Sequence, residues 1–235
     1  GIVLDGNGYT LSSPEGIGVG ILCNNNTVTI KNITITGFDG GISCAGDNLT
    51  IDGNSISAIS TGISIGYTNN RIMNNVISTQ TYSGIGIHMS NSSNYLISGN
   101  NITNCSRGIN IYNSYNNLLS GNAISITTWG IHLGAGSGGN TIVGNSLANN
   151  GKGIHIVENS NDNYVYNNNF LSNTFQQAEV IGSFGNIFSM NAPTGGNYWN
   201  DYDSSGEGCN DVNSDGFCDT PYSFNGVVDN LPWTA

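Results

Sequence analysis

The chain has 235 residues, only 8 % of them charged, and four basic against fifteen acidic residues give a formal net charge of −11. Binding phosphate backbones needs clustered Lys and Arg, so nucleic acid is not an expected partner. No apolar run approaches the roughly 20 residues of a membrane-spanning helix. So polar a composition would read as disorder without its apolar rhythm, and the length suits one elongated domain.

In chain order, Leu4-Asp5-Gly6-Asn7 matches Ile51-Asp52-Gly53-Asn54, so the first repeat starts at the first residues. No signal peptide, initiator methionine or capping helix precedes it, as in a processed or mature fragment. An uncovered first strand would offer unpaired backbone groups to another chain. Ile30, Ile51, Ile72, Ile97, Leu119, Ile142 and Val165 then follow at spacings of 21, 21, 25, 22, 23 and 23. Asn54, Asn75, Asn100, Asn122, Asn145 and Asn168 keep the same uneven rhythm three positions later. Such a period marks a solenoid, each turn burying its apolar face against its neighbours.

The unit reads roughly N-x-x-I-x-x-N-x-I, with a second half seen as Gly41-Ile42, Gly62-Ile63, Gly84-Ile85, Gly108-Ile109, Gly130-Ile131 and Gly153-Ile154. Alternation as in Ile63-Ser64-Ile65 is the period of a half-buried strand. Leucine-rich repeats also have this length, but they need more leucine and helix formers than the Ser, Thr, Asn and Gly found here. The expected fold is therefore all-β: a single-stranded right-handed parallel β-helix of eight or nine coils over residues 1–194. At about 4.8 Å per coil it would be on the order of 40 Å long. Asparagine tolerates left-handed backbone, so the recurring asparagines are expected at the corners, their amides stacked coil on coil. Asn117, Asn140 and Asn163 form a second such column.

Cys23 and Cys44 occupy matching places in adjacent coils, with Ile65, Ile87 and Ile111 there later; they are either bonded or packed as small apolar groups. Cys209 and Cys218 bracket an acidic loop as a local disulfide, leaving Cys105 over. This pattern favours an oxidising, extracellular setting. His132 and His155 follow the repeated Gly-Ile and so stack on an outward face. Arg107, Trp129 and Lys152 form a second column there, one residue before the repeated glycine. The face is expected to be solvated, to grip a sugar chain, or to share a transition metal between its imidazoles. No neighbouring cysteine or carboxylate in the sequence completes a metal site.

From Gly195 the rhythm stops and acids and aromatics rise, which predicts a cap over residues 195–235. Asp211, Asn213 and Asp215 at alternate positions, Gly216, the Phe217 carbonyl and Asp219 follow the calcium-loop pattern. Tyr222 stands where an EF-hand has glutamate, so Asp201, Asp203 or Asp229 would supply the missing oxygen around a structural Ca2+. Catalysis finds little support: no acid lies between Asp52 and Glu158, and Lys31, Arg71, Arg107 and Lys152 are scattered.

The opening Gly1-Ile2-Val3-Leu4-Asp5-Gly6-Asn7-Gly8-Tyr9-Thr10-Leu11 resembles the first coil of parallel β-helix proteins with pectin-lyase-like repeats. The repeats resemble those of the NosD-type family and related archaeal surface proteins. Gly195-Gly196-Asn197-Tyr198-Trp199-Asn200-Asp201-Tyr202 and Asp215-Gly216-Phe217-Cys218-Asp219-Thr220-Pro221-Tyr222 are similar to their common C-terminal motif, continued by Val228-Asp229-Asn230 and Pro232. The resemblance implies a secreted, three-sided β-helix, and for NosD-type members copper delivery, for which His88, His132 and His155 are the available imidazoles. The leading expectation is a cell-surface structural subunit of a surface layer, sheath or filament, with copies of itself as partner. Binding or cleavage of surface glycans, and copper handling, are the alternatives.

Overall fold

The computed structural model describes residues 1–81 and 83–235. Among them there is no helix, and the chain winds as a β-solenoid of about eight turns. One face is an eight-stranded parallel sheet running from Ile2–Asp5 through Val28–Lys31 to Tyr164–Tyr166. The strands of the other two faces join into one sheet of fifteen, because Asn101–Tyr112 and Ala123–Gly134 each run around the corner between them. The second face starts at Thr10–Ser12; the third starts at Val19–Cys23 and passes through Ile85–Ser93 and Lys152–Ile156 to Gln176–Val180.

Register explains the rhythm. Ile30, Ile51, Ile72, Ile97, Leu119, Ile142 and Val165 are successive partners on the first face, all buried. β-branched side chains suit this stacking because their restricted rotamers pack flat on a pleated surface. One alignment needs correction. The partner of Ile63 and Ile109 is Ile87, so the stacked glycine is Gly86, not Gly84, and Met89 rather than Ile87 shares the file of Cys44, Ile65 and Ile111. A Cβ at Gly86 would meet the Gly108 carbonyl oxygen at 2.6 Å, which is why glycine recurs there. Gly84 instead faces the Thr79 side chain at a corner.

The asparagines divide their work differently from the expectation. The left-handed corners fall one residue earlier, at Gly53, Asn74, Gly99, Gly121, Gly144 and Asn167. The next residue is the buried asparagine, which that corner aims inward. Each Oδ1 accepts twice from the preceding rung: Asn122 Oδ1 takes Asn100 Nδ2 at 2.9 Å and the Asn100 amide at 3.0 Å. Each Nδ2 also reaches a backbone carbonyl, as Asn122 does to Ile97 at 2.9 Å. The ladder runs unbroken from Asn54 to Asn197, and a second passes through Asn117, Asn140, Asn163 and Asn186. Such self-satisfaction is what makes a buried amide tolerable.

The far end is closed by aromatics. Tyr198–Trp199 still adds to the long sheet, so the last rung, Asn197, lies in the acidic tail. Trp199 stacks on Phe170 at 4.3 Å, and Tyr222 stacks on Trp199 at 4.4 Å. Asp229, fully buried, stands where the next asparagine would be, accepting from the Asn197 amide at 2.7 Å and from Trp199 Nε1 at 2.8 Å. Cys23–Cys44 and Cys209–Cys218 are both disulfides, and Cys105 is free and buried.

Candidate functional site

Two side-chain files run along the third face. The first is Arg107, Trp129, Lys152 and Gln176. The second is His88, Asn110, His132, His155 and Glu179, one residue per turn in strict register. Alternation turns the second file away from the core, between inward partners such as Ile131 and Leu133. The expectation of a solvated face nonetheless fails, because His132 is 4 % exposed and His155 8 %. The Trp129 indole lies over both imidazoles, with centroids 4.7 Å from each, and the Arg107 guanidinium sits 4.7 Å from the indole centroid.

The imidazoles stack at 5.1 Å with their Nδ1 atoms 3.1 Å apart. On its other side His155 Nε2 meets Glu179 Oε2 at 2.9 Å, and Lys152 Nζ pairs with the same oxygen. Burial pushes the His132 pKa down to about 3, helped by His155 and Arg107. Burial and then Lys152 lower that of His155, with Glu179 opposing them. Both rings are therefore neutral near pH 7. One turn earlier, Asn110 Nδ2 pairs with His88 Nδ1 at 2.8 Å.

Across the file, Glu158 Oε2 accepts from the Ala135 amide at 2.9 Å and from Tyr112 Oη at 3.4 Å. Gly134 leaves room here, since a Cβ would stand 3.2 Å from His132 Nε2 and 3.3 Å from Glu158 Oε2. Three buried polar atoms lack a partner among the described residues: Arg107 Nε, Asn110 Oδ1 and Gln176 Oε1. All three belong to these two files.

Sequence reasoning did not assign Glu179, Asn110, Tyr112 and Gln176 to this face, nor Glu158. Gln176-Gln177-Ala178-Glu179 aligns with Lys152-Gly153-Ile154-His155 but lacks the Gly-Ile mark, so pattern alone did not extend the file. The carboxylate that meets His155 is not near it along the chain: a turn of 24 residues brings Glu179 there.

The acidic tail loop lies apart from this face. Asp211 accepts the Asp215 and Gly216 amides at 3.0 Å each, Asp215 accepts the Phe217 amide at 3.0 Å, and Asp219 accepts the Val212 amide at 2.8 Å. Asn213 Oδ1 accepts the Asp215 amide at 3.1 Å. Phe217 packs its ring against Trp233. Two residues expected to add an oxygen are engaged elsewhere: Asp203 with Tyr198, and Asp229 beneath Trp199. Among the described residues no group of three or more His, Cys, Asp or Glu is gathered as a metal ion would need.

The stacked turns, the amide ladders and this face define a parallel β-helix repeat protein of the pectin-lyase-like kind. A family profile described as periplasmic copper-binding protein (NosD) matches residues 6–152 and 135–204, and the chain belongs to that family. No curated protein matches the chain. Among solved structures, DFA-IIIase from Arthrobacter chlorophenolicus A6 in complex with DFA-III is similar at 15 % identity and TM-score 0.63, over 71 % of this chain and 44 % of that one. The same enzyme without its lid gives 14 % identity and TM-score 0.58, over 79 % and 56 %. The Dettilon tailspike protein gives 16 % and 0.59, over 73 % and 44 %. These likenesses concern the fold, and the chain spans about half the length of those proteins. The family's periplasmic description and the two disulfides agree on an extracytoplasmic compartment. No helix of the described residues is long and apolar enough to cross a membrane.

Proposed function

We propose that this chain is a β-helix of the cell envelope that binds an anionic polysaccharide along its third face. The carrying observation is the row of buried polar atoms left without partners, Arg107 Nε, Asn110 Oδ1 and Gln176 Oε1. A buried donor or acceptor costs about 1–3 kcal/mol when unsatisfied, so a row of them marks where water or a ligand completes the surface. Successive turns lie about 4.8 Å apart, close to the rise of one sugar in an extended glycan, so a chain along the axis meets one side chain per residue. Arg107 pairs with no carboxylate among the described residues, and a guanidinium matches the carboxylate of a uronate in bidentate fashion. Binding of uronate-containing polymers, measured by glycan array and calorimetry, is expected to fall at least tenfold in Arg107→Ala and Trp129→Ala. Equal binding of neutral glucans, or unchanged affinity in both variants, would overturn the proposal.

A second reading, a subunit of a surface layer, sheath or filament assembling with copies of itself, draws support from the continuous amide ladders and two disulfides, which suit a stiff rod. In the same reading the tail loop binds a structural Ca2+ through Asp211, Asn213, Asp215, Asp219 and the Phe217 carbonyl, whose alternate oxygens follow a calcium loop. Electron microscopy under non-reducing conditions with calcium is expected to show associated rods, and dispersed monomers at high concentration would contradict it. Excess chelator is expected to lower the melting temperature; an unchanged melt removes the calcium.

A further inference from the structure

We propose that the pocket at the corner leading into the third face seats a short O-acyl ester group, so that the polysaccharide bound there is an acylated uronate polymer. This rests on the reading of the third face as an anionic glycan site, and adds the substituent that the glycan carries. The pocket holds about 290 Å³, with buried Cys105, Thr127 and Asn150 as its floor and exposed Ile126 and Phe175 as its rim. Every turn that lines it supplies the neighbouring file two residues later. Cys105 precedes Arg107, Thr127 precedes Trp129, Asn150 precedes Lys152 and Thr174 precedes Gln176. Two residues of strand span about 6–7 Å, which a substituent on a sugar ring can reach across.

The two columns call for opposite chemistry. The file leaves Arg107 Nε and Gln176 Oε1 without partners among the described residues. In the pocket the polar groups already engage one another. Thr127 Oγ1 donates to Asn150 Oδ1 at 2.8 Å, Asn150 Nδ2 to the Ile124 carbonyl at 3.1 Å, and Thr174 Oγ1 to the Asn150 carbonyl at 3.2 Å. The Cys105 thiol donates to the Thr103 carbonyl at 3.2 Å, and burial pushes its pKa up to about 11, so the floor carries no charge. A carboxylate finds no donor here, whereas an apolar group displaces water from Ile126, Phe175 and the thiol.

Backbone geometry does not explain why Ile126 is apolar. This corner is left-handed at Asn104, Ile126, Asn149 and Ser172 in successive turns, with φ of 58°, 56°, 56° and 53°. Asparagine tolerates such a backbone and a β-branched residue is strained by it, yet Ile126 is 60 % exposed. Phe175, 75 % exposed, lies over Gly151, where a Cβ would stand 3.1 Å from its ring. A strained isoleucine and a solvent-facing phenylalanine around a bare glycine form a slot for an apolar substituent. The ester belongs on a sugar hydroxyl, because esterifying the carboxyl would remove the charge that Arg107 pairs with.

The test is calorimetry with polygalacturonate and alginate, each chemically O-acetylated and each again after mild alkaline deacetylation. At least one acetylated polymer is expected to bind about tenfold more tightly than its deacetylated form, as burial of one such group implies. Phe175→Ala and Ile126→Asn should each remove that preference and leave the affinity for the deacetylated polymer within about twofold. Ile126→Asn should also raise the melting temperature by roughly 2–4 °C by relieving the corner, so its lost preference cannot be lost folding. Arg107→Ala should weaken both forms and keep the preference. Equal affinity for the two forms of both polymers, or a preference unchanged in both pocket variants, overturns the acyl pocket and leaves the anionic glycan reading standing. Failure of every form to bind overturns both.

Discussion

The asparagine ladder and the His132 file are built the same way, one side chain per turn in register, yet only the ladder is complete. From Asn75 to Asn168 each ladder Oδ1 accepts from the rung before, and each Nδ2 finds the next rung and a carbonyl. The file alternates His88, Asn110, His132, His155 and Glu179, whose donors and acceptors do not tile, and unpartnered atoms gather around it. Identical groups with one donor side and one acceptor side satisfy each other indefinitely. Mixed groups do not, and the open valences are left for something else. The ladder is therefore where this molecule is stable, and the file is where the proposed glycan would complete the surface.

The largest effect in breaking that contrast is expected where the ladder ends. Trp199→Ala removes the ring between Phe170 and Tyr222 and the donor to Asp229, and should cost about 3–5 kcal/mol in chemical denaturation. A loss below about 1 kcal/mol would mean that the aromatic stack does not close the core. Within the ladder, Asn122→Ala strands the buried Asn100 amide and takes one acceptor from Asn100 Nδ2, which keeps the Ile72 carbonyl, and should cost about 3 kcal/mol. In the file, His132→Gln should change stability by less than about 1 kcal/mol at neutral pH, because His132 makes a single side-chain hydrogen bond, to His155, which the glutamine amide can replace. Equal losses in these two variants would erase the distinction.

The smallest effects are in pH. Burial pushes the Asp229 carboxyl up to about 6, against the donors that favour its charge. The stability this group contributes is complete below its unfolded value near 3.9 and is lost as pH rises through about 6. His132 has the opposite sign: pushed down to about 3, it contributes fully above its unfolded value near 6.5, and that contribution is lost as pH falls toward 3. The melting temperature of Asp229→Asn relative to wild type should therefore rise by roughly 2–4 °C between about pH 4 and pH 7. For His132→Gln the relative melting temperature should rise as pH is lowered from about 7 to about 4. A flat difference for either variant would contradict the corresponding burial.

Much of this molecule is legible in its amino-acid sequence. Isoleucines and asparagines recurring on one uneven rhythm determined a parallel solenoid, its stacked core and its amide ladders, because each turn repeats the same contacts with its neighbour. The same repetition placed Trp129 over Arg107 and His155 over His132. Tertiary structure alone decided the rest. It moved the left-handed corners one residue ahead of the asparagines, since backbone and side-chain roles fall on adjacent residues that share a composition. It chose Gly86 over Gly84, where a doubled Gly-Ile leaves two registers open and only the close approach of a glycine carbonyl selects one. It laid the indole over the imidazoles and brought in Glu179, because burial on an outward face depends on how long side chains fold across neighbouring turns, and periodicity does not encode that.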